Sequence, residues 1–387
     1  LSAEVSINMS GSNLDDAEGL VQIDQFVYSE DGNTVSADQI YLENKLGFKR
    51  EFSLISDFAD LRVSGNYTFS DLPNTIDYFI ATYVPALTET NSVRPKSQEF
   101  NFKGRVKRTE QLLDIFLPQL SIGRGTIFEG TVSTNQNALS LLVQSDNINF
   151  SGLDFNQLHI DGHTDSSNFW FNTTIDELVL NDSISVNEVG LSGFTNRDTS
   201  SVLVDLSGAD SNKTIASFYI NSGFVNTGYT NIKIIPRKLL LDGTAWELDP
   251  NNYLLADTTG ILFNEFELQS GVQRISFNGI IGADTSAKMQ VGFHEFEAAQ
   301  LNGLLGIYHV NIGGVTNGYA SLSAVGGKPI LNADLDVKNI QWFGDTLGSA
   351  EFNADWDSKS DKVSVSGEVT RGGVKNIQIT GDYYLLE

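Results

Sequence analysis

The sequence predicts an all-β protein: an elongated, curled antiparallel sheet interrupted by one or two short helices. Three observations predict it. Polar and apolar residues alternate in short runs along the chain, one strand motif ending in glycine recurs many times, and turn-forming clusters separate the runs.

The run "ADLRVSGNYTFS", residues 59–70, is the clearest strand. Ala59, Leu61, Val63, Gly65, Tyr67 and Phe69 fall on one side of an extended chain, and Asp60, Arg62, Ser64, Asn66, Thr68 and Ser70 on the other. Its motif is two apolar residues two apart, then glycine two further on. Copies in chain order include Ile7/Met9/Gly11, Leu61/Val63/Gly65, Phe100/Phe102/Gly104, Ile148/Phe150/Gly152 and Leu158/Ile160/Gly162. They continue as Val189/Leu191/Gly193, Val204/Leu206/Gly208, Leu239/Leu241/Gly243, Ile275/Phe277/Gly279, Val363/Val365/Gly367 and Ile377/Ile379/Gly381. Their irregular spacing excludes a fixed-period solenoid. Turn signals such as "EDGN" at 30–33, "NQN" at 135–137, "DSSN" at 165–168 and "DPNN" at 249–252 lie between copies, as in a β-meander.

Two stretches change period. "SDLPNTIDYFIATYVPAL" predicts a helix near 71–85, with Ser70 or Asp71 as cap, Pro73 in the first turn, and Ile76, Phe79, Ile80 and Tyr83 at helical spacing. "TEQLLDIFLPQL" predicts a shorter helix over 109–118. Residues 71–120 thus form a helical interruption, and 121–387 a continuous β-repeat region. The sharper role for these helices is to cover part of the sheet's apolar face.

Composition narrows the function classes. A formal charge of −25 on 387 residues opposes nucleic-acid binding, and the basic clusters "KREF" and "GRVKR" read as solvated charges. With no cysteine there is no disulfide framework, thiol catalysis or cysteine-based metal site. No apolar run reaches the roughly 18–20 residues of a membrane-spanning helix. A first residue of Leu and no signal peptide lead us to expect a segment of a longer protein.

Where the apolar face goes decides the architecture. Two short helices cannot cover so long a sheet. At about 12–15 residues per strand and turn the chain makes about 25–30 strands, too many for one sandwich. Linkers between serial sandwiches are absent from 120–387, and paired aromatic girdles, which mark a transmembrane barrel, are not evident. Such a barrel stays the weaker alternative, and a sheet curled lengthwise into a trough, with an apolar inner face, suits this even texture better. In that reading the recurring glycines are strand bends: Gly65, Gly104, Gly152, Gly243, Gly279, Gly367 and Gly381. The candidate wall runs through Leu61, Val63, Tyr67, Phe69, Phe100, Phe102, Ile148 and Phe150 in the first half. It continues through Leu239, Leu241, Ile275, Phe277, Met289, Val291, Phe293, Leu335 and Val337.

Residues 239–281, "LLLDGTAWELDPNNYLLADTTGILFNEFELQSGVQRISFNGII", resemble the TamB family of Gram-negative envelope proteins, through Gly243, Trp246, Leu248 and "FNEFELQSGVQRISFNG". "PILNADLDVKNIQWFGDTLGSAEFNADWD" and "VSGEVTRGGVKNIQITGDYY" are similar to that family's succeeding repeats. The N-terminal third resembles its members in Bacteroidetes-like bacteria. The resemblance implies a β-taco, a U-shaped sheet with a greasy interior, as one segment over 1–387. It also implies a periplasmic location, with an inner-membrane anchor and contact with an outer-membrane TamA/BamA-type barrel, both through regions outside this segment. The implied work is phospholipid transport between membranes and outer-membrane protein assembly, with acyl chains as partners and no cofactor.

Catalytic motifs are lacking. His159 and His163 share parity but have no third ligand, and His294 and His309 stand apart. "GRGTIFEG" opens no helix, and "DLDVKN" and "DWDSKSD" lack calcium-loop spacing. The expectation is a non-enzymatic lipid conduit. Its rivals are a scaffold that adds strands of outer-membrane proteins to its edge, and a surface adhesin with a dry core.

Overall fold

The computed structural model describes residues 1–30, 32–83, 94–165, 167–181, 184–207, 215–225, 229–257, 259–282, 287–302, 312–325, 328–357 and 362–384. The described residues form an all-β fold, with 26 strands and two short α-helices among them, and antiparallel order in every described pairing. It divides into two compact units, Leu1–Leu203 and Val204–Glu387.

The first unit opens with β1 (Ser2–Ser10), β2 (Glu18–Glu30), β3 (Asn33–Leu46), β4 (Arg50–Ser56) and β5 (Ala59–Asn66). A 3₁₀ turn at Phe69–Asp71 leads into α1 (Leu72–Tyr83), followed by β6 (Glu99–Val106), α2 (Glu110–Phe116) and β7 (Leu120–Ile122). Then come β8 (Ile127–Ser133), β9 (Ala138–Phe150), β10 (Leu153–Thr164), β11 (Phe169–Asn181) and β12 (Ile184–Thr195). Neighbours in sequence pair throughout, except that β6 pairs with β8 and short β7 with the far end of β9. β13 (Thr199–Ser207) spans the boundary between the units.

The second unit holds β14 (Ile215–Val225), β15 (Tyr229–Leu241), β16 (Thr244–Ala245), β17 (Glu247–Leu248), β18 (Tyr253–Ala256) and β19 (Gly260–Ser270). It continues with β20 (Gln273–Gly282), β21 (Lys288–Glu297), β22 (Ile312–Val325) and β23 (Lys328–Trp342). The last strands are β24 (Asp345–Asp357), β25 (Lys362–Arg371) and β26 (Val374–Tyr384). From β18 onward each strand pairs with the next. Among the described residues no pairing joins the first strand of either unit to its last, so neither unit closes into a barrel.

Two-residue turns set several registers. Ser151–Gly152, Asp242–Gly243, Phe343–Gly344 and Gly372–Gly373 each have positive φ at both positions, the type I′ geometry that matches strand twist. This corrects the role expected of two glycines. Gly152 (φ +85°) and Gly243 (φ +78°) are turn residues, not bends within strands.

The strands do not alternate without interruption. Gln25, Gln157, Glu188, Glu295 and Asn339 are mid-strand residues with φ between +45° and +53°. At each, the buried parity slips by one, so apolar residues three apart face the same way: Ile23 and Phe26, Phe155 and Leu158, Val186 and Val189, Phe293 and Phe296, Val337 and Ile340. Register shifts accompany the slips between β1 and β2, β21 and β22, and β23 and β24. Such bulges bend and twist a strand, so part of the curvature assigned to glycine belongs to these polar residues.

Both helices lie on the apolar face of the first unit. From α1, Phe79 and Tyr83 pack with Val132, Phe100, Phe102, Leu139 and Phe169. The Tyr78 hydroxyl donates to Asn137 Oδ1 (2.8 Å), the Tyr83 hydroxyl to Asn137 O (2.9 Å), and the Thr195 hydroxyl to Tyr83 O (2.7 Å). From α2, Leu112 and Ile115 pack against Val35, Ala37 and Phe58. The buried stripe of α1 is Thr75, Phe79 and Tyr83, whereas Ile76 is 60% exposed. Ser70 bonds to Asp15 rather than capping the helix, and Pro85 falls outside the described residues.

Candidate functional site

Cross-strand partners share a face, so the pairings trace the apolar surface directly. In the first unit one row runs Ile7–Val21–Leu42–Leu54–Leu61–Gly104–Phe128–Val143–Ile160–Thr173–Leu191 across consecutive strands. The adjacent row runs Met9–Gly19–Asn44–Phe52–Val63–Phe102–Gly130–Leu141–Gly162–Phe171–Gly193. A third contains Leu46–Arg50–Gly65–Phe100–Val132–Leu139. Leu61, Val63, Phe100 and Phe102 therefore stand on one surface. Tyr67 and Phe69 join it just beyond β5, their rings 5.5 Å apart. Ile148 and Phe150 lie past a phase slip in β9, where Phe150 is 49% exposed.

The second unit repeats the arrangement. One row is Leu268–Ile275–Phe293–Gly318–Leu335–Phe352–Gly367–Ile379, and its neighbour is Phe266–Phe277–Val291–Ala320–Ala333–Ala354–Val365–Gly381. Met289 pairs with Gly279 and Leu322, and Val337 with Thr316 and Ala350. Leu239 and Leu241 pack in a cluster around Trp246, Ile275 and Phe296. Trp246 closes that end of the face. Its Nε1–H donates to Gln300 Oε1 (3.0 Å), and Gln300 Nε2 donates to Gln273 Oε1 (2.9 Å). Toward the other end the face is open: Ile281 is 50% and Leu322 47% exposed.

The remaining strand glycines serve the packing of these rows. Gly104 and Gly367 lie beneath the rings of Phe128 and Phe352, and Gly65 and Gly279 lie against the main chain of the next strand. Around Gly381 there is open space.

One basic residue departs from expectation. Arg50, in the cluster read as solvated, is only 7% exposed, because Arg50, Phe52 and Leu54 share the inward parity of β4. Its guanidinium lies 4.8 Å from the Phe69 ring centroid and 5.4 Å from that of Tyr67. Burial pushes the Tyr67 phenol up to about 12, against a smaller opposing effect of Arg50. By contrast, Lys107 and Arg108 of the second basic cluster form surface pairs with Asp60 (2.6 Å) and Asp57 (3.5 Å).

Among the described residues no three His, Asp or Glu side chains are arranged to hold a metal. His159 Nδ1 contacts Gln144 Nε2 at 3.2 Å, His163 and His294 are exposed, and His309 lies outside the described residues. No described helix is long and apolar enough to cross a membrane. No protein-family model, curated protein or solved structure matches the chain.

Proposed function

We propose that the apolar faces of the two units bind the acyl chains of phospholipids, as walls of a lipid-carrying groove. The carrying observation is that apolar rows cross the face of each unit while residues such as Ile281 and Leu322 stay about half exposed on it. Burying such surface against an acyl chain contributes about 0.8 kcal/mol per CH₂. No catalytic group is needed, since continuity of the wall does the work. Together with the TamB-like segments at 239–281 and beyond, this favours a periplasmic envelope protein acting in phospholipid transport and outer-membrane assembly, alongside a TamA/BamA-type barrel.

The test is mass spectrometry of lipids extracted from the purified chain. Val291→Asp and Ile281→Asp should reduce bound phospholipid several-fold, because a carboxylate in an apolar site is heavily penalised. Gln290→Asp, on the opposite face of β21, should leave it unchanged. Equal lipid in all four proteins, or none in the parent, overturns the reading.

A second reading has one observation in its favour. β1 is exposed along its whole length, and among the described residues it pairs only with β2. An incoming strand could add there. Ile7→Pro would abolish strand addition but leave lipid binding intact.

A further inference from the structure

Arg50, Tyr67 and Asn44 share an anomaly. Each is more than nine-tenths buried, and each has a polar atom with no hydrogen-bond partner: Arg50 Nη1, Tyr67 Oη and Asn44 Oδ1. Their positions bring them to one end of the apolar face. Arg50 pairs with Leu46 and Gly65, Asn44 with Phe52, and Tyr67 follows two residues after Gly65. Arg50 forms no ion pair with any described carboxylate. Burying a guanidinium away from a directly paired carboxylate is costly.

What Arg50 and Asn44 do bond to is informative. Arg50 Nη2 donates to the main-chain oxygen of Asp15, and Asn44 Nδ2 donates to that of Ala17. Both oxygens belong to the exposed loop between β1 and β2, residues 11–17, which is fastened further by Ser70 donating to the Asp15 carboxylate. The loop thus presents one carbonyl oxygen to the Arg50 cation and one to the Asn44 amide, while the Asp15 carboxylate, held by Ser70, feels the Arg50 charge without pairing with it.

We propose that Arg50, Tyr67 and Asn44 form a binding site for a phosphate-type oxyanion, for which the carbonyl oxygens of Asp15 and Ala17 stand in until the loop lifts. The guanidinium and the phenol supply donors to the anionic oxygens, and Asn44 Oδ1 accepts from a hydroxyl or ammonium group carried beside them. Phe52, Phe69 and Phe100 border the site, so an acyl chain leaving the phosphate meets the apolar rows at once. The site rests on the groove reading for the source of its ligand, an anionic lipid headgroup, but its oxyanion chemistry does not.

Titration calorimetry with dihexanoyl phosphatidylglycerol, dihexanoyl phosphatidylcholine and inorganic phosphate tests it. Phosphatidylglycerol should bind the parent chain, and Arg50→Gln should weaken it about tenfold or more, the usual scale for a charge-assisted hydrogen bond. Tyr67→Phe removes an oxygen with no protein partner, so it should weaken binding without lowering the melting temperature of the empty protein. Asp15→Ala unfastens the loop and removes a competing charge, so it should tighten binding, an effect no purely structural role produces. Phosphatidylcholine carries the same phosphodiester but no hydroxyl or N–H to donate to Asn44 Oδ1, so it should bind the parent more weakly than phosphatidylglycerol and lose affinity in Arg50→Gln as well. Arg50-dependent binding of inorganic phosphate alone, with neither lipid bound, would keep the site, assign it to a free anion, and remove the groove reading. Unchanged phosphatidylglycerol affinity in both Arg50→Gln and Tyr67→Phe, or no anion binding by the parent, overturns the site.

Discussion

Phe128 lies across Gly104 on the adjacent strand, and its ring occupies the space a side chain at Gly104 would need. A methyl group built there would stand 2.6 Å from Phe128 Cε1 and closer still to Cε2 and Cζ. Covering a strand glycine with a neighbouring aromatic recovers packing that glycine alone forfeits. The same relation joins Gly367 to Phe352, and large and small residues alternate along the row Phe102–Gly130–Leu141–Gly162–Phe171–Gly193.

Gly104→Ala should therefore destabilise the protein by about 1–3 kcal/mol, the usual cost of overpacking. Combining it with Phe128→Leu should cost less than the sum of the two single changes. Gly381→Ala, with open space around it, should be near neutral. Chemical denaturation of the four variants measures this, and strict additivity would show that the ring does not constrain Gly104.

The phase slips make a separate prediction. Gln157 holds φ +53° inside β10, and among the described residues its side chain makes a long bond to Asp146 (3.3 Å). Gln157→Gly should be neutral or stabilise by up to about 1 kcal/mol, because glycine adopts that conformation without penalty. Gln157→Val should destabilise by about 1–2 kcal/mol. The order of melting temperatures, Gly above Gln above Val, checks it.

Trp246 should be the costliest single truncation in the second unit. Trp246→Ala removes a buried indole in contact with Phe296 and strands the Gln300 carbonyl, for a loss of about 3–5 kcal/mol. Trp246→Phe keeps most of the packing and should lose about 1 kcal/mol with the hydrogen bond. Equal losses for the two would contradict the assignment.

Stability should fall at both ends of the pH scale. The Tyr67 phenol titrates near 12 in the fold against about 10 when unfolded, so its contribution is complete below pH 10 and disappears as pH rises toward 12. Tyr67→Phe should flatten that alkaline limb, as followed by far-UV circular dichroism. Asp71 and Asp165 shift the other way. Asn74, with smaller help from Lys96 and Gln98, lowers Asp71, while the Trp170 indole and the amides of Ser167 and Asn168 lower Asp165. Their contributions are present above the ordinary carboxylate range and vanish as pH drops through the lowered values.

How much of this was legible in the sequence depended on whether a signal was periodic. The strand class, the two helices and the shared facing of Leu61 with Val63 and of Ile275 with Phe277 follow from simple alternation or helical spacing. The phase slips were written as apolar pairs three apart around a polar residue, as in Phe293–Phe296 and Val337–Ile340, a signal that alternation averages away. Gly152 and Gly243 followed the strand motif so closely that the Ser-Gly and Asp-Gly turn signals beside them were overridden. Arg50 looked like surface charge by residue type, although its parity with Phe52 and Leu54 placed it inward. The stripe on α1 was displaced by a residue, since docking chose Thr75 over Ile76.

The pairing of most strands with their sequence neighbours bears on how the chain comes to be folded. Nearly every contact within a unit can form as soon as the next strand arrives, with little loop entropy lost at each step. Assembly can proceed like a zipper from whichever end is delivered first, and a partly delivered chain already has a finished face behind its growing edge. A protein of this build suits vectorial delivery: it needs no distant segment to arrive before its first strands are secure.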